Sequence, residues 1–218
     1  MNRPVALLLA LALVCTAACG SLFQSKAAPP TIYVLSASPV PLAQPPADSA
    51  PQLAIPLDLA ILKPRLPTGL ATDRIAVLYP DRRLDYFANA RWSGPAGDVL
   101  QDLAVQEFLH SRRHLRTVSG DASVFSSAYW LEIEVTDFQA EYTSASAAPT
   151  AHVHFLARIG ESGDRRILGR FEADARQAAA ENRLTAIVDA YAHAAQKALA
   201  EIAVQADEAL ANASAARP

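Results

Sequence analysis

Two pairs of polar side chains have the residue types and the spacing that chemistry would need. His152 and His154 lie two residues apart, so on a strand both imidazoles would point the same way and could reach one metal ion. No third ligand accompanies them, and the apolar Leu156 shares their face. Glu132 and Glu134 have the same spacing, which would suit acid–base work, but alternating acidic residues are ordinary on a solvent-facing strand. We therefore predict neither a metal site nor a catalytic site.

The sequence also lacks the motifs of several common enzyme sites. It contains no Gly-x-Ser-x-Gly nucleophile elbow, no phosphate-binding loop and no Gly-x-Gly-x-x-Gly turn. The missing phosphate loop excludes a role as an ATPase, so any energy must come from a partner protein. We expect a protein that is not an enzyme and holds no cofactor. An enzyme that uses His152 and His154 is one alternative hypothesis.

The first 18 residues have the layout of a secretory signal peptide. A short basic start at Asn2 and Arg3 is followed by an apolar run over 5–14 and by small side chains at 16–18. The apolar run is shorter than the roughly 20 residues that a membrane-spanning helix needs. We therefore expect this segment to be removed rather than to stay in the membrane.

Cys19, which directly follows the small residues, resembles the acceptor of a bacterial lipoprotein signal. Thr16, Ala17 and Ala18 occupy the positions of the lipobox, with Thr16 standing where Leu is usual. The resemblance implies a thiol that carries acyl chains such as palmitate and becomes the mature N-terminus. Several chains together give lasting attachment, since one chain alone holds only marginally. The alternative is ordinary signal cleavage, which leaves a free thiol.

Composition narrows the possible partners of the mature chain. Removal of 1–18 from the 218 residues leaves 200, enough for one substantial domain. The net charge of −3 becomes −4 without Arg3, which argues against a nucleic-acid partner. The two cysteines, at positions 15 and 19, provide no disulfide framework once the signal is removed and Cys19 is acylated.

The pattern of apolar residues predicts one α+β domain over 31–210, preceded by a lipidated tether at 19–30. Alternation predicts strands near 31–35, 53–61, 75–79, 84–88, 115–118, 131–142, 153–159 and 167–173, with a proline-rich loop over 36–51. A change of alternation predicts a bulge near Asp137. Helical spacing predicts one helix after Ser93-Gly94-Pro95 and a second from about Glu181 to Leu210. We expect a mainly antiparallel sheet with these two principal helices packed on one face, and a disordered tail at 211–218.

Short motifs in this domain resemble a known family, the auxiliary lipoprotein component of ABC-type transport systems. That family includes PqiC-like and cholesterol-transport auxiliary proteins. The residues that carry the likeness are Tyr33-x-Leu35, Pro67-x-Gly69-Leu70-x-x-Asp73-Arg74-Ile75-Ala76, Leu84-x-Tyr86, and Arg91-Trp92 leading into Leu100 and Leu103.

The resemblance implies a lipoprotein on the periplasmic face of the outer membrane. Its partners would be an inner-membrane ABC permease, the associated ATPase and a periplasmic Mce-type lipid carrier. Because Mce carriers form rings, a matching homo-oligomer is a further hypothesis. The alternative, of a different class, is a stand-alone structural lipoprotein of the envelope without a transport partner.

Four residues are candidates for contact with a partner or with lipid. Arg91 and Trp92 precede the first helix and could form such a contact, or Trp92 could close the corner between sheet and helix as a core anchor. Arg112 and Arg113 could meet anionic headgroups, where clustered cations contribute about 1 kcal/mol each. The alternative for these two arginines is complementation of the helix C-terminus.

Overall fold

A long antiparallel meander of three strands forms one half of the fold, and shorter strands extend its first member. The computed structural model describes residues 29–36, 57–111, 115–119, 127–144 and 146–215. The predicted signal peptide, most of the tether and the proline-rich loop lie outside these residues. Within them the strands are β1 (Thr31–Tyr33), β2 (Leu57–Ile61), β3 (Arg74–Leu78), β4 (Leu84–Trp92), β5 (Leu115–Ser119), β6 (Tyr129–Glu141), β7 (Thr150–Glu161) and β8 (Ile167–Ala178). The two helices are α1 (Ala96–Ser111) and α2 (Leu184–Ala215).

The sheet is mixed but mainly antiparallel, so the predicted fold class is confirmed. Strand β7 pairs antiparallel with β6 and β8 over 12 and 11 residue pairs, and β3 and β4 form a hairpin. The other edge of β6 is shared, since β2 pairs parallel with its start and β3 with its end. Each parallel pairing covers only two to four residue pairs, and β1 and β5 join the sheet in this way beside β4 and β2.

Both helices pack against the sheet and against each other. Helix α1 begins after Pro95, whose carbonyl accepts hydrogen bonds from the amides of Asp98 and Val99. Asp98 lies in the first turn, where a carboxylate complements the helix dipole. Among the described residues, neither helix is both long and apolar enough to cross a membrane.

Helix α2 extends beyond its predicted end at Leu210. It continues to Ala215, so the prediction of a disordered tail is wrong for 211–215, and 216–218 lie outside the described residues. Leu210 and Ala213 are buried, and the Ser214 hydroxyl donates to the Leu210 carbonyl at 2.9 Å. The last turns therefore have their own apolar contacts, which the alanine-rich sequence conceals.

Three aromatic rings form the centre of the core. Trp92, at the end of β4, lies edge-on to Tyr191 of α2 with 5.3 Å between centroids, and Phe138 of β6 lies 5.7 and 5.1 Å from these two rings. The Tyr191 hydroxyl donates to the Ala76 carbonyl of β3 at 2.5 Å, and burial raises the pKa of Tyr191 well above its ordinary value. The cluster therefore joins β3, β4 and β6 to α2.

Replacing Trp92 by Ala should lower the free energy of unfolding by about 3 to 5 kcal/mol, because it removes a buried indole and leaves a cavity. Arg91→Ala, one residue earlier and largely exposed, should change it by no more than about 1 kcal/mol. Urea denaturation followed by circular dichroism measures both values. Equal, small effects at the two positions would contradict a core role for Trp92.

Candidate binding surface

The face of β6, β7 and β8 that points away from the helices carries a dense array of polar side chains. We call it the open face. Cross-strand pairing aligns its residues in rows, because directly opposed residues of an antiparallel pair project to the same side. The rows are Glu132–Arg158–Arg170, Glu134–Leu156–Glu172, Asp137–His154–Asp174 and Gln139–His152–Arg176.

A bulge in β6 decides which residues reach this face. The register shifts between Val135 and Asp137, which confirms the predicted irregularity near Asp137. Upstream of it, Glu132 and Glu134 point outward. Regular alternation would then have placed Thr136 and Phe138 on the open face. The extra residue turns Phe138 into the core and turns Asp137, Gln139 and Glu141 outward.

The downstream half of the open face consists of the two rows that contain His154 and His152. His152 lies at its centre and is almost fully buried by its neighbours. Its Nδ1 lies 2.8 Å from Glu141 Oε1, and its Nε2 lies 3.0 Å from Asp174 Oδ1. Arg176 donates from Nη2 to the same Nδ1 at 3.0 Å and from Nη1 to Glu141 Oε2 at 2.6 Å. Nδ1 therefore faces the Glu141 carboxylate and the Arg176 guanidinium, and Nε2 faces the Asp174 carboxylate.

His154 repeats this arrangement one row away. Its Nε2 lies 2.9 Å from Glu172 Oε1, and its Nδ1 lies 3.5 Å from Asp137 Oδ2. The two imidazole rings are nearly parallel, with centroids 6.4 Å apart. Asp137 therefore faces both rings, since its Oδ1 lies 3.8 Å from His152 Nδ1.

Asp137 and Glu141 of β6 are held in the ionised form. Burial alone would raise the pKa of Glu141, but hydrogen bonds from His152, Arg176 and Gln139 outweigh it and hold the pKa below its ordinary value. Burial likewise acts to raise the pKa of Asp137, and the Gln139 amide with the charge of His152 lowers it overall. Gln139 Nε2 donates to both carboxylates, at 2.8 and 3.2 Å, and so spaces them.

The upstream half of the open face, the two rows that contain Arg158 and Leu156, has arginine–carboxylate pairs in place of histidines. Glu132 accepts from Arg158 Nε at 2.7 Å and Nη2 at 2.6 Å, and its other oxygen lies 2.5 Å from Arg65 Nη2. Both carboxylate oxygens of Glu132 are already paired with guanidinium groups, so this geometry gives no support to acid–base work by Glu132. Beside it, Leu156 contributes a partly exposed apolar patch.

Sequence reasoning placed His152 and His154 on one face but missed the residues that complete their surroundings. Asp137 and Glu141 approach from β6, and Asp174 approaches from β8. The signal was present in the predicted bulge, because a change of parity after Val135 places the odd-numbered residues of β6 on the histidine face. The hairpin register was also needed, and sequence alone does not fix it.

Among the four predicted contact residues, Arg91 and Trp92 lie at the corner between β4 and α1. Trp92 is only 2% exposed. The prediction that its ring contacts a partner or lipid is therefore wrong, and the alternative, a core anchor at the corner between sheet and helix, is confirmed. Arg91 donates from Nη1 to both oxygens of Asp73, at 2.9 and 2.7 Å, while the Trp92 amide donates to the Asp73 carbonyl at 2.7 Å. Arg112 and Arg113, like Cys19, lie outside the described residues.

The family model of the ABC-type transport auxiliary lipoprotein component matches residues 33–203. The chain belongs to this family. The match begins at Tyr33, within β1, and ends inside α2, so it spans the sheet and most of both helices. The family describes an auxiliary component of transport systems, which accords with the expectation of a protein that is not an enzyme. No curated protein matches the chain.

Solved structures support the fold of this auxiliary component. A protein of Xanthomonas campestris assigned to family-model DUF330 has 23% sequence identity and a TM-score of 0.68, covering 85% of this chain and 96% of its own. A second, uncharacterized protein has 13% identity and a TM-score of 0.59, covering 82% of this chain and 99% of its own. At these identities the likeness establishes the shared fold alone.

The Asp73–Arg91 pair gives a pH prediction for the corner between β4 and α1. The hydrogen bonds from Arg91 lower the pKa of Asp73 below its ordinary value. The ionised carboxylate therefore stabilises the fold above that ordinary value, and the stabilisation is lost as the pH falls through the lower, folded-state pKa.

The stability difference between wild type and Asp73→Asn should accordingly be no more than about 1 kcal/mol at pH 7, given the exposure of the pair, and should shrink towards pH 2. Urea unfolding at a series of pH values measures it. Arg91→Gln should remove most of this pH dependence. A difference that stays constant from pH 7 to pH 2 would contradict the ion pair.

Proposed function

We propose that the protein is a lipid-anchored periplasmic accessory subunit of an ABC/Mce-type envelope lipid-transport system. In this proposal it scaffolds or docks the lipid carrier at the periplasmic face of the outer membrane. The observation that carries the proposal is membership of the transport auxiliary family over 33–203. Cys19, at the end of a segment with the layout of a lipoprotein signal, supplies the anchor.

The geometry of the open face supports a docking role. Three strands of 12 or 13 residues present rows of charged side chains that hold one another in fixed positions. Arg158 and Arg176 are each bonded to a carboxylate of β6, while Leu156 stays partly exposed between them. A surface of alternating charges with an exposed apolar side chain suits recognition of another protein, since complementary charge fixes the orientation of a partner.

The first test concerns the anchor. Cys19→Ser should move the protein from the membrane fraction to the soluble periplasmic fraction, because the acyl chains provide the attachment. Cys15→Ser is the matched control and should stay with the membrane. Fractionation with immunoblotting measures the distribution, and separation of inner and outer membranes by density identifies the membrane. A Cys19→Ser protein that remains in the membrane fraction would contradict the proposed anchor.

The second test concerns the partners. Affinity purification of the tagged, lipidated protein from detergent-solubilised envelopes should recover an Mce-type carrier together with a permease and its ATPase. The Cys19→Ser protein, purified from the soluble fraction, is the control for unspecific capture. Co-expression of an untagged copy tests the homo-oligomer in the same experiment, because the two forms would then purify together. Recovery of neither an Mce-type protein nor an ABC component would contradict the transport role.

A further inference from the structure

Three donor groups converge at the downstream half of the open face. Asp137, Glu141 and His152 each offer one ligand atom, and these atoms lie within 4.8 Å of one another. The set consists of two carboxylate oxygens and one imidazole nitrogen, and the side chain of His152 is only 7% exposed. An imidazole is neutral when it ligates a metal, so with two ionised carboxylates this ligand set would carry a charge of about −2, which matches a divalent cation.

The environment of the imidazole rings is the one that metal-binding histidines require. A ligating histidine usually donates its second ring N–H to a carboxylate, which fixes the tautomer and the ring orientation. His152 Nε2 lies 3.0 Å from Asp174, and His154 Nε2 lies 2.9 Å from Glu172. Both outer carboxylates come from β8, so the Nδ1 atom of each ring is the one directed at Asp137 and Glu141 of β6.

A positive centre already lies between these side chains. Glu141 Oε1 and His152 Nδ1 lie only 2.8 Å apart, a distance that needs a proton or a cation between or beside the two atoms. A proton on Nδ1 meets this need, and the guanidinium of Arg176 lies beside both residues. A metal ion bound by both atoms would take the place of that proton, which is released on binding. The side chain of Arg176 is 51% exposed and lies on β8, so it can move away from Nδ1 without disturbing the core.

We propose that Asp137, Glu141 and His152 form a binding site for a divalent transition-metal ion of the zinc type, which displaces Arg176 from His152 Nδ1. Imidazole with carboxylate donors suits Zn²⁺, whereas Mg²⁺ and Ca²⁺ prefer oxygen ligands alone. The fourth position is open to water or to His154, whose Nδ1 lies 3.5 Å from Asp137. This inference departs from the expectation of no metal and is independent of the transport role.

The experiment uses the chain purified from membranes in detergent, without a histidine tag and with any free thiol alkylated, so that Cys19 does not bind metal. Isothermal titration with zinc chloride should give one site per chain. His152→Gln keeps the side chain polar and similar in length, and should weaken the affinity at least tenfold. Asp174→Asn, which alters only the outer partner, should weaken it by roughly 10- to 100-fold. His193→Gln, at an exposed position of α2, is the matched control and should have no effect.

Arg176→Ala provides the decisive comparison. If Arg176 competes with the ion, its removal should tighten zinc binding severalfold, whereas a purely structural cluster would gain no affinity. A large excess of magnesium chloride should not displace the zinc. Unfolding curves for each variant verify that the fold is retained. The proposal is overturned if neither wild type nor Arg176→Ala binds zinc saturably, or if His152→Gln binds it as tightly as wild type.

Discussion

The arrangement of both faces of the sheet depends on one extra residue in β6. Without the irregularity between Val135 and Asp137, alternation would direct three polar side chains of the strand's second half into the core and would expose Phe138. Burial of an unpaired carboxylate costs several kcal/mol, and exposure of a large aromatic ring forfeits about 2 kcal/mol or more. Both penalties disfavour a strand without the bulge, so the apolar and the charged residues together specify its position.

The bulge also couples the core to the open face. Phe138 enters the aromatic cluster with Trp92 and Tyr191, and Gln139, the next residue, spaces the two carboxylates on the opposite side. The ring contacts that hold α2 against the sheet therefore also fix the positions of Asp137 and Glu141 relative to the two histidines. Packing and polar geometry share one short segment of backbone.

Local patterns were sufficient to predict much of this fold, and contacts distant in sequence were not. The strands, the start of α1 and the bulge follow from alternation and helical spacing within a few positions. The parallel pairing of β2 and β3 with β6 joins segments far apart in the chain, and no local signal encodes it. The convergence of Asp137 and Glu141 on His152 was missed for the same reason, because it depends on the β6–β7 register rather than on spacing. The end of α2 was missed because its last turns are rich in alanine, which gives no clear pattern of apolar and polar positions.

The alanine content of α2 sets how this core tolerates change. Of its 14 buried positions, eight are alanine: Ala186, Ala190, Ala194, Ala195, Ala198, Ala203, Ala206 and Ala213. Small side chains let the helix backbone approach the strands closely and lose almost no rotamer freedom on folding. At these eight positions there is little volume left to remove, but an added methylene would meet closely packed neighbours. Substitution of these alanines is therefore limited by crowding rather than by the loss of apolar volume.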